Sequence, residues 1–139
     1  MTNRNELARI IDANLNRAKE GARVLEEVAR FINDDGSLAK RIKAIRHGIV
    51  ESSMGFDISR DELLDARDSE LDVGRHISGE LENDRTSLDD VIASNFSRIE
   101  EALRVIEEFG KMIDPVSALK IKDLRYDVYT IEKEFRIST

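Results

Sequence analysis

Two stretches of this chain carry the same polar residues at the same spacing. Residues 14–27 read NLNRAKEGARVLEE and residues 95–108 read NFSRIEEALRVIEE. The identical pairs are Asn14/Asn95, Arg17/Arg98, Glu20/Glu101, Arg23/Arg104, Val24/Val105, Glu26/Glu107 and Glu27/Glu108, whereas apolar partners are exchanged, as in Leu15/Phe96 and Leu25/Ile106. A repeat kept for packing alone would hold its apolar residues and vary its polar ones. The duplicated polar residues are therefore where chemistry is expected. Asn presents a donor and an acceptor side by side, and Arg a planar fork matched to phosphate oxygens. Asn followed one helical turn later by Arg, twice over, is equipped to hold a small phosphorylated ligand. In the plainer alternative each Asn bonds a neighbouring backbone group, and each Arg pairs with the Glu three residues along, Glu20 or Glu101.

A second group lies between the repeats, where ARDSELDVGR at 66–75 supplies Arg67, Asp68, Asp72, Gly74 and Arg75. Two carboxylates flanked by two Arg could hold Mg²⁺ and phosphate oxygens together, because Mg²⁺ commonly takes one or two carboxylates and completes its shell with water and substrate phosphates. Alternating charges also decorate many solvated loops, so this spacing alone is not specific. Arg23 with Glu27, and Arg104 with Glu108, fall on the side away from the apolar stripe and read as surface pairs contributing about 0.2–0.5 kcal/mol each.

The elements that must position these groups read as four long helices. Ile10, Ile11, Ala18, Ala22, Leu25, Ala29 and Ile32 recur at helical spacing and predict a first helix over about 5–33, broken by Asp34-Asp35-Gly36. Leu38, Ile42, Ile45 and Ile49 mark the second, ending near Gly55. Ile92, Ile99, Ala102, Leu103, Ile106, Phe109 and Ile113 mark the third, with Ser87 and Asp90 as its cap signal. Asp114-Pro115 opens the fourth, since Asp caps well and Pro suits the first helical position. Its stripe is Ile121, Leu124, Val128, Ile131 and Phe135. On the first helix Asn14 lies on the apolar side, beside Gly21, and Asn95 takes the same place in its own helix beside Ala102. Arg17 and Arg98 fall on the shoulder of the stripe, where a buried stem can aim the guanidinium into a groove.

The repeat extends to helix pairs: KAIR at 43–46 matches KDLR at 122–125 and sets Arg46 opposite Arg125. Two duplicated hairpins imply an all-α, antiparallel four-helix bundle in a single domain over residues 1–139, with repeat 1 at about 5–54 and repeat 2 at about 87–136. An irregular connector over about 56–86 separates them, with a short helix capped by Ser59 and running to Ala66, then a polar stretch carrying Gly74 and Gly79. No segment alternates with period two, so no strand is expected.

Composition narrows the function. A formal charge of −7 argues against broad attraction to nucleic acid or anionic membrane, though a local Arg cluster can still serve a small phosphorylated ligand. No Cys is present, which removes thiolate chemistry. No apolar run approaches a membrane span and no signal peptide follows Met1, so a soluble cytoplasmic domain is expected. GxxxxGK[ST], GxGxxG and HExxH are all missing, and His47 and His76 read as surface residues. Tyr126 and Tyr129, on or beside the fourth stripe, suggest a homodimer.

RIIDANLNRAKEGARVLEEVARF (9–31), ARDSELDVGR (66–75), SNFSRIEEALRVIEEFGK (94–111) and LRYDVY (124–129) together resemble the helical hydroxymethylpyrimidine phosphate kinase family. That domain is often fused in front of thiamine-phosphate synthase. The likeness covers nearly the whole chain in order, and Ser94, where the family suggests Ala, is a mild departure. The chain ends at Thr139, as a stand-alone version would. The resemblance implies transfer of the γ-phosphoryl group of ATP to 4-amino-5-hydroxymethyl-2-methylpyrimidine phosphate. Under that activity Arg17, Arg98, Arg67 and Arg75 would clamp phosphates, and Asp68 and Asp72 would hold Mg²⁺. Asn14 or Asn95 would read the aminopyrimidine edge, with Arg46 and Arg125 supporting the clamp. Two other readings stand beside it: a non-catalytic helical partner of thiamine-phosphate synthase, and a plain scaffold.

Overall fold

The computed structural model describes residues 2–77 and 86–138. Helix α1 (Arg4–Glu27) opens on a capping box: the Asn3 side chain accepts the Glu6 amide at 2.8 Å while Glu6 reaches back to the Asn3 amide. It runs into a π-helical turn, Val28–Ile32, in which the Asn33 amide donates to the Val28 carbonyl at 3.0 Å. Asp34 takes a left-handed conformation (φ 49°) and Asp35 caps α2 (Gly36–Ser53), accepting the Leu38 amide at 3.0 Å. Ser59 caps α3 (Arg60–Ala66) and Ser87 caps α4 (Leu88–Gly110), each hydroxyl accepting an amide three residues on at 3.1 Å. Helix α5 (Pro115–Ser138) begins behind Asp114, whose carboxylate accepts the Ser117 hydroxyl at 2.6 Å.

The chain is thus all-α among its described residues. α1 packs on α2 and α4, and α5 on α2 and α4, closing a ring of four helices around one core. Neighbours run antiparallel. Gly21 of α1 lies against Asn95 and Ile99 of α4, while Ile10 and Phe109 line one cleft at the other end. Gly48 of α2 faces Leu124 of α5, and Arg41 pairs with Glu134. At Gly21 the approach is close enough that a Cβ would sit 3.0 Å from the Ile99 side chain and 3.2 Å from the Asn95 carbonyl. α3 packs on α1, tied there by Arg4, which donates to Glu62 (Nε to Oε1, 2.6 Å) and to the Asp57 carbonyl (2.6 Å).

Leu38, Ile42, Ile45 and Ile49 are all buried, as are Ile121, Val128, Ile131 and Phe135, with Phe135 edge-on to Phe96 at 5.5 Å. The first stripe departs at its end, where Ile32 is 56% exposed. The π turn adds a residue to that rotation, burying Val28 and Ala29 and turning Phe31 and Ile32 outward. Arg30 covers the Phe31 ring at 4.8 Å. In the connector the short helix forms where expected and residues 67–77 follow as turns; Gly79 lies outside the described residues. His47 and His76 are exposed.

Candidate functional site

Asn14 and Asn95 sit on the inner side of α1 and α4, 5% and 7% exposed. Each carboxamide nitrogen donates to the carbonyl one turn back, Asn14 to Ile10 at 2.9 Å and Asn95 to Val91 at 2.8 Å. A buried amide left without partners costs about 1–3 kcal/mol per group, so these bonds hold the side chains in place. In α1 the carboxamide oxygen accepts Nη1 of Arg17 at 3.3 Å. Arg17 has no carboxylate within ion-pair reach among the described residues. Arg98 does have one: it crosses to Glu20 of α1 at 3.6 Å, an exposed and weak pair. The plainer alternative thus holds for the two amides but for neither Arg: Arg98 pairs across the helices with Glu20, not with Glu101 three residues on, and Arg17 is bound to its own Asn.

Asn14 and Arg17 form the ridge between two clefts. The first, about 630 Å³, runs between the start of α1 and the segment after α3, and its walls include Asn14, Arg17, Arg67, Asp68 and Asp72. The second, about 610 Å³, lies between α1 and α4 and includes Asn14, Arg17, Ser94, Ser97, Arg98 and Glu101. Five of the ten residues singled out in the sequence therefore share one cleft, and Arg98 joins two of them in the next. Four lie elsewhere. Arg75 is exposed and lines neither cleft. Asn95 is buried between α1 and α4. Arg46 and Arg125 are held by carboxylates on the neighbouring helix, Arg46 Nε to Glu26 at 3.1 Å and Arg125 Nη2 to Glu107 at 3.3 Å.

Those last two contacts repeat across the hairpins, since Glu26 and Glu107 are themselves a duplicated pair. Glu107 is 2% exposed and also takes Arg104 at 2.9 Å; Glu26 is 9% exposed with Arg23 at 3.8 Å. Arg23 and Arg104 each reach the next Glu as well, Glu27 and Glu108, both at 3.0 Å. Much of the duplicated polar set is thus a buried carboxylate with two Arg around it, joining α1 to α2 and α4 to α5.

Asp12 joins the site from outside the duplicated motif. It is 6% exposed and clasps Arg67 through two bonds, from Nε at 2.8 Å and from Nη2 at 2.7 Å. The Asp12 carboxylate raises the Arg67 pKa, first by the hydrogen bonds and then by its charge. This clasp brings the segment carrying Asp68 and Asp72 against the cleft. Asp68 accepts the Leu71 amide at 3.2 Å and Asp72 the Gly74 amide at 2.8 Å, each through Oδ1, so one oxygen of each is committed to shaping the turn. Among the described residues no three His, Cys, Asp or Glu converge as metal ligands. Asp68 and Asp72 alone could serve only an ion that completes its shell with a phosphorylated ligand and water. A signal for Asp12 does exist in the sequence: Ala8, Asp12 and Leu15 share one helix face, a lone carboxylate within an apolar stripe.

An all-helical bundle with an Arg-lined cleft at the junction of its two halves is the class that fold and site define. A comparison with family models places the chain further: residues 9–134 match the ThiD2 family, and the chain belongs to it. Similar curated proteins include the thiamine-phosphate synthases of Thermosynechococcus vestitus (41% identical over 132 residues, 95% of this chain and 36% of that protein), of Synechocystis sp. (42% over 126 residues, 91% and 35%) and of Rhodopirellula baltica (41% over 129 residues, 93% and 34%). The chain spans about a third of the length of these relatives. No solved structure matches it. Among the described residues no helix is long and apolar enough to cross a membrane.

Proposed function

We propose that this protein acts in thiamine biosynthesis as a phosphotransferase, converting 4-amino-5-hydroxymethyl-2-methylpyrimidine phosphate to its diphosphate with ATP and Mg²⁺. Membership of the ThiD2 family and likeness to thiamine-phosphate synthases support the pathway. The observation that carries the reaction type is Arg17: a guanidinium tethered to a buried Asn, without a carboxylate partner among the described residues, on the ridge between one cleft holding Arg98 and another holding Arg67, Asp68 and Asp72.

In this reading a terminal oxygen of the pyrimidine monophosphate forms a bond to the γ-phosphorus of ATP. The bond from that phosphorus to the β,γ-bridging oxygen breaks, and ADP leaves. The attacking phosphate is largely dianionic at neutral pH, so no general base has to remove a proton. Positioning and charge neutralisation then carry the catalysis. Arg17, shared by both clefts, holds the two phosphate groups toward each other, with Arg98 and Arg67 on either side. Asp68 and Asp72 would hold Mg²⁺, which offsets the charge on the nucleotide phosphates when bound. Arg75 would join the clamp only if its segment moves inward.

Coupled ADP-release assays on Arg17→Ala and Arg98→Ala test the reading. Both variants should fold and lose turnover by about 10²-fold or more, as removal of a charge-stabilising group commonly does. Wild-type turnover in both would remove the clamp. A second reading is favoured by the names and length of the relatives: a non-catalytic helical module that serves thiamine-phosphate synthase. ATP consumption by the purified chain, dependent on the pyrimidine monophosphate, excludes that reading.

A further inference from the structure

Arg9 lines the larger cleft together with Arg17, and among the described residues it has neither an ion pair nor a hydrogen bond. The two carboxylates nearest to it along α1, Glu6 and Asp12, are already engaged. Glu6 accepts the Asn3 amide at 3.3 Å and the Asn3 carboxamide at 3.2 Å. Asp12 accepts Arg67 through both of its oxygens, and Asn16 at 3.4 Å. Arg9 is also exposed, so its guanidinium is free to meet a ligand. Arg9, Ala13 and Asn16 fall on one face of α1, within about 60° of one another, and Arg17 follows about 12 Å further along the axis than Arg9. Between the two cations the wall carries only the methyl group of Ala13, which leaves the space open. The segment after α3 forms the facing wall, where the clasp with Asp12 uses Nε and Nη2 of Arg67 and leaves Nη1 over. Mg²⁺ at Asp68 and Asp72 would offset their two charges, so three Arg spread along the cleft are left for phosphate oxygens.

The second repeat does not reproduce this wall. The register that matches Asn14 with Asn95 sets Asp90 in the place of Arg9, Ser94 in that of Ala13 and Ser97 in that of Asn16. A guanidinium is exchanged for a carboxylate and a methyl group for a hydroxyl. Ser94, Ser97 and Arg98 line the α1–α4 cleft with Arg17, whereas Asp90 does not reach it. Glu101 stands in the same wall, and Glu20 takes part of the charge of Arg98. Two Arg and two hydroxyls suit a single phosphate group, while the larger cleft suits a chain of them.

We propose that the cleft between α1 and the segment after α3 is a polyphosphate subsite, taking the triphosphate of a nucleotide with its Mg²⁺, and that Arg9 binds the phosphates remote from Arg17. The α1–α4 cleft then takes the lone phosphate of the second substrate at Arg98, Ser94 and Ser97. The identity of the two ligands rests on the phosphotransfer reading; which cleft each one occupies follows from the residues of the walls.

Calorimetric titration of the full chain in Mg²⁺ with ATP, with inorganic tripolyphosphate and with the pyrimidine monophosphate tests the division. Arg9→Ala should weaken ATP and tripolyphosphate by about tenfold or more and leave the monophosphate within about twofold of the wild type. Arg98→Ala should show the opposite pattern. Arg9→Lys keeps the charge without the planar fork, so its affinity for both polyphosphates should fall between those of the wild type and Arg9→Ala. Because Arg9 has no partner among the described residues, Arg9→Ala should melt with the wild type, which separates lost binding from lost folding. The subsite is overturned if either polyphosphate fails to bind the wild type, if Arg9→Ala binds both as the wild type does, or if it weakens the monophosphate equally. A loss confined to ATP would set Arg9 against the nucleoside and overturn its phosphate role. Turnover separates the subsite from the reaction. Arg9-dependent binding of ATP with no ADP release on addition of the monophosphate sinks the reaction and leaves the subsite; ADP release with an unchanged KM for ATP in Arg9→Ala does the reverse.

Discussion

Arg67 and Asp12 join segments 55 residues apart through two parallel hydrogen bonds, and only one of the two partners is buried. That asymmetry makes the two single substitutions unequal. Arg67→Ala strands a carboxylate that is 6% exposed, whereas Asp12→Asn leaves a neutral amide inside and an Arg that can turn to water. Arg67→Ala should therefore lower the melting temperature more than Asp12→Asn. Both should speed hydrogen exchange over residues 68–77 while α4 and α5 stay protected. Unchanged exchange in that segment would show that the clasp does not hold it.

The duplicated carboxylates give a second inequality. Glu107 is more deeply buried than Glu26, and its partner Arg125 keeps 12% of its side-chain surface against 22% for Arg46. Removing one partner of a buried pair typically costs about 3–5 kcal/mol, and less as water reaches the survivor. Glu107→Ala should cost about 3 kcal/mol in urea unfolding and Glu26→Ala clearly less. Equal losses would mean that burial does not set the energetics of these networks.

Much of this was legible in the sequence, and what was missed shares a cause. Leu38, Ile42, Ile45 and Ile49 recur at helical spacing, and Ser59, Ser87 and Asp114 cap locally, so helix positions follow from near neighbours along the chain. The inward placement of Asn14 and Asn95 follows from the same period. Asp12 stands out by no motif, and Glu26 and Glu107 only as a duplicated pair without a role, because an isolated charge in a stripe shows its purpose only once a partner from another helix or loop is known: Arg67, Arg46 and Arg125. Arg46 and Arg125 looked available for ligand for the same reason. Ile32 looked inward because periodicity assumes an uninterrupted α-helix, and the π turn at Val28–Ile32 breaks that assumption.

Gly110, at the end of α4, leaves room for the ring of Phe56. A Cβ there would lie 2.5 Å from Cζ and 2.6 Å from Cε1 of a ring that is 1% exposed. Ala gains about 1 kcal/mol over Gly in helix propensity, while overpacking a filled site costs about 1–3 kcal/mol. Gly110→Ala should thus be net destabilising in the native background. With Phe56→Leu the obstruction is gone, and adding Gly110→Ala should then be neutral or stabilising. Denaturation of all four proteins measures the coupling, and simple additivity would contradict the steric account.

Glu100 supplies a signed pH dependence. Its ordinary value is 4.5 and the folded value is about 8, raised first by burial and then by Glu132. The folded state therefore holds this proton more tightly than the unfolded chain does. Its contribution to stability is full below about pH 4.5, declines as pH rises, and is gone above about pH 8. The carboxyl is only half-buried, so solvent screening reduces the size of the effect but not its direction. Glu100→Gln replaces the titrating group with a neutral one, while groups shifted the other way, Asp114 and Glu62, remain in both proteins. Subtracting the two pH–stability curves isolates Glu100: the variant should gain on the wild type between about pH 5 and 8 and hold a constant lead above that range. A difference that does not change with pH would mean that Glu100 is ionised in the native protein throughout that range.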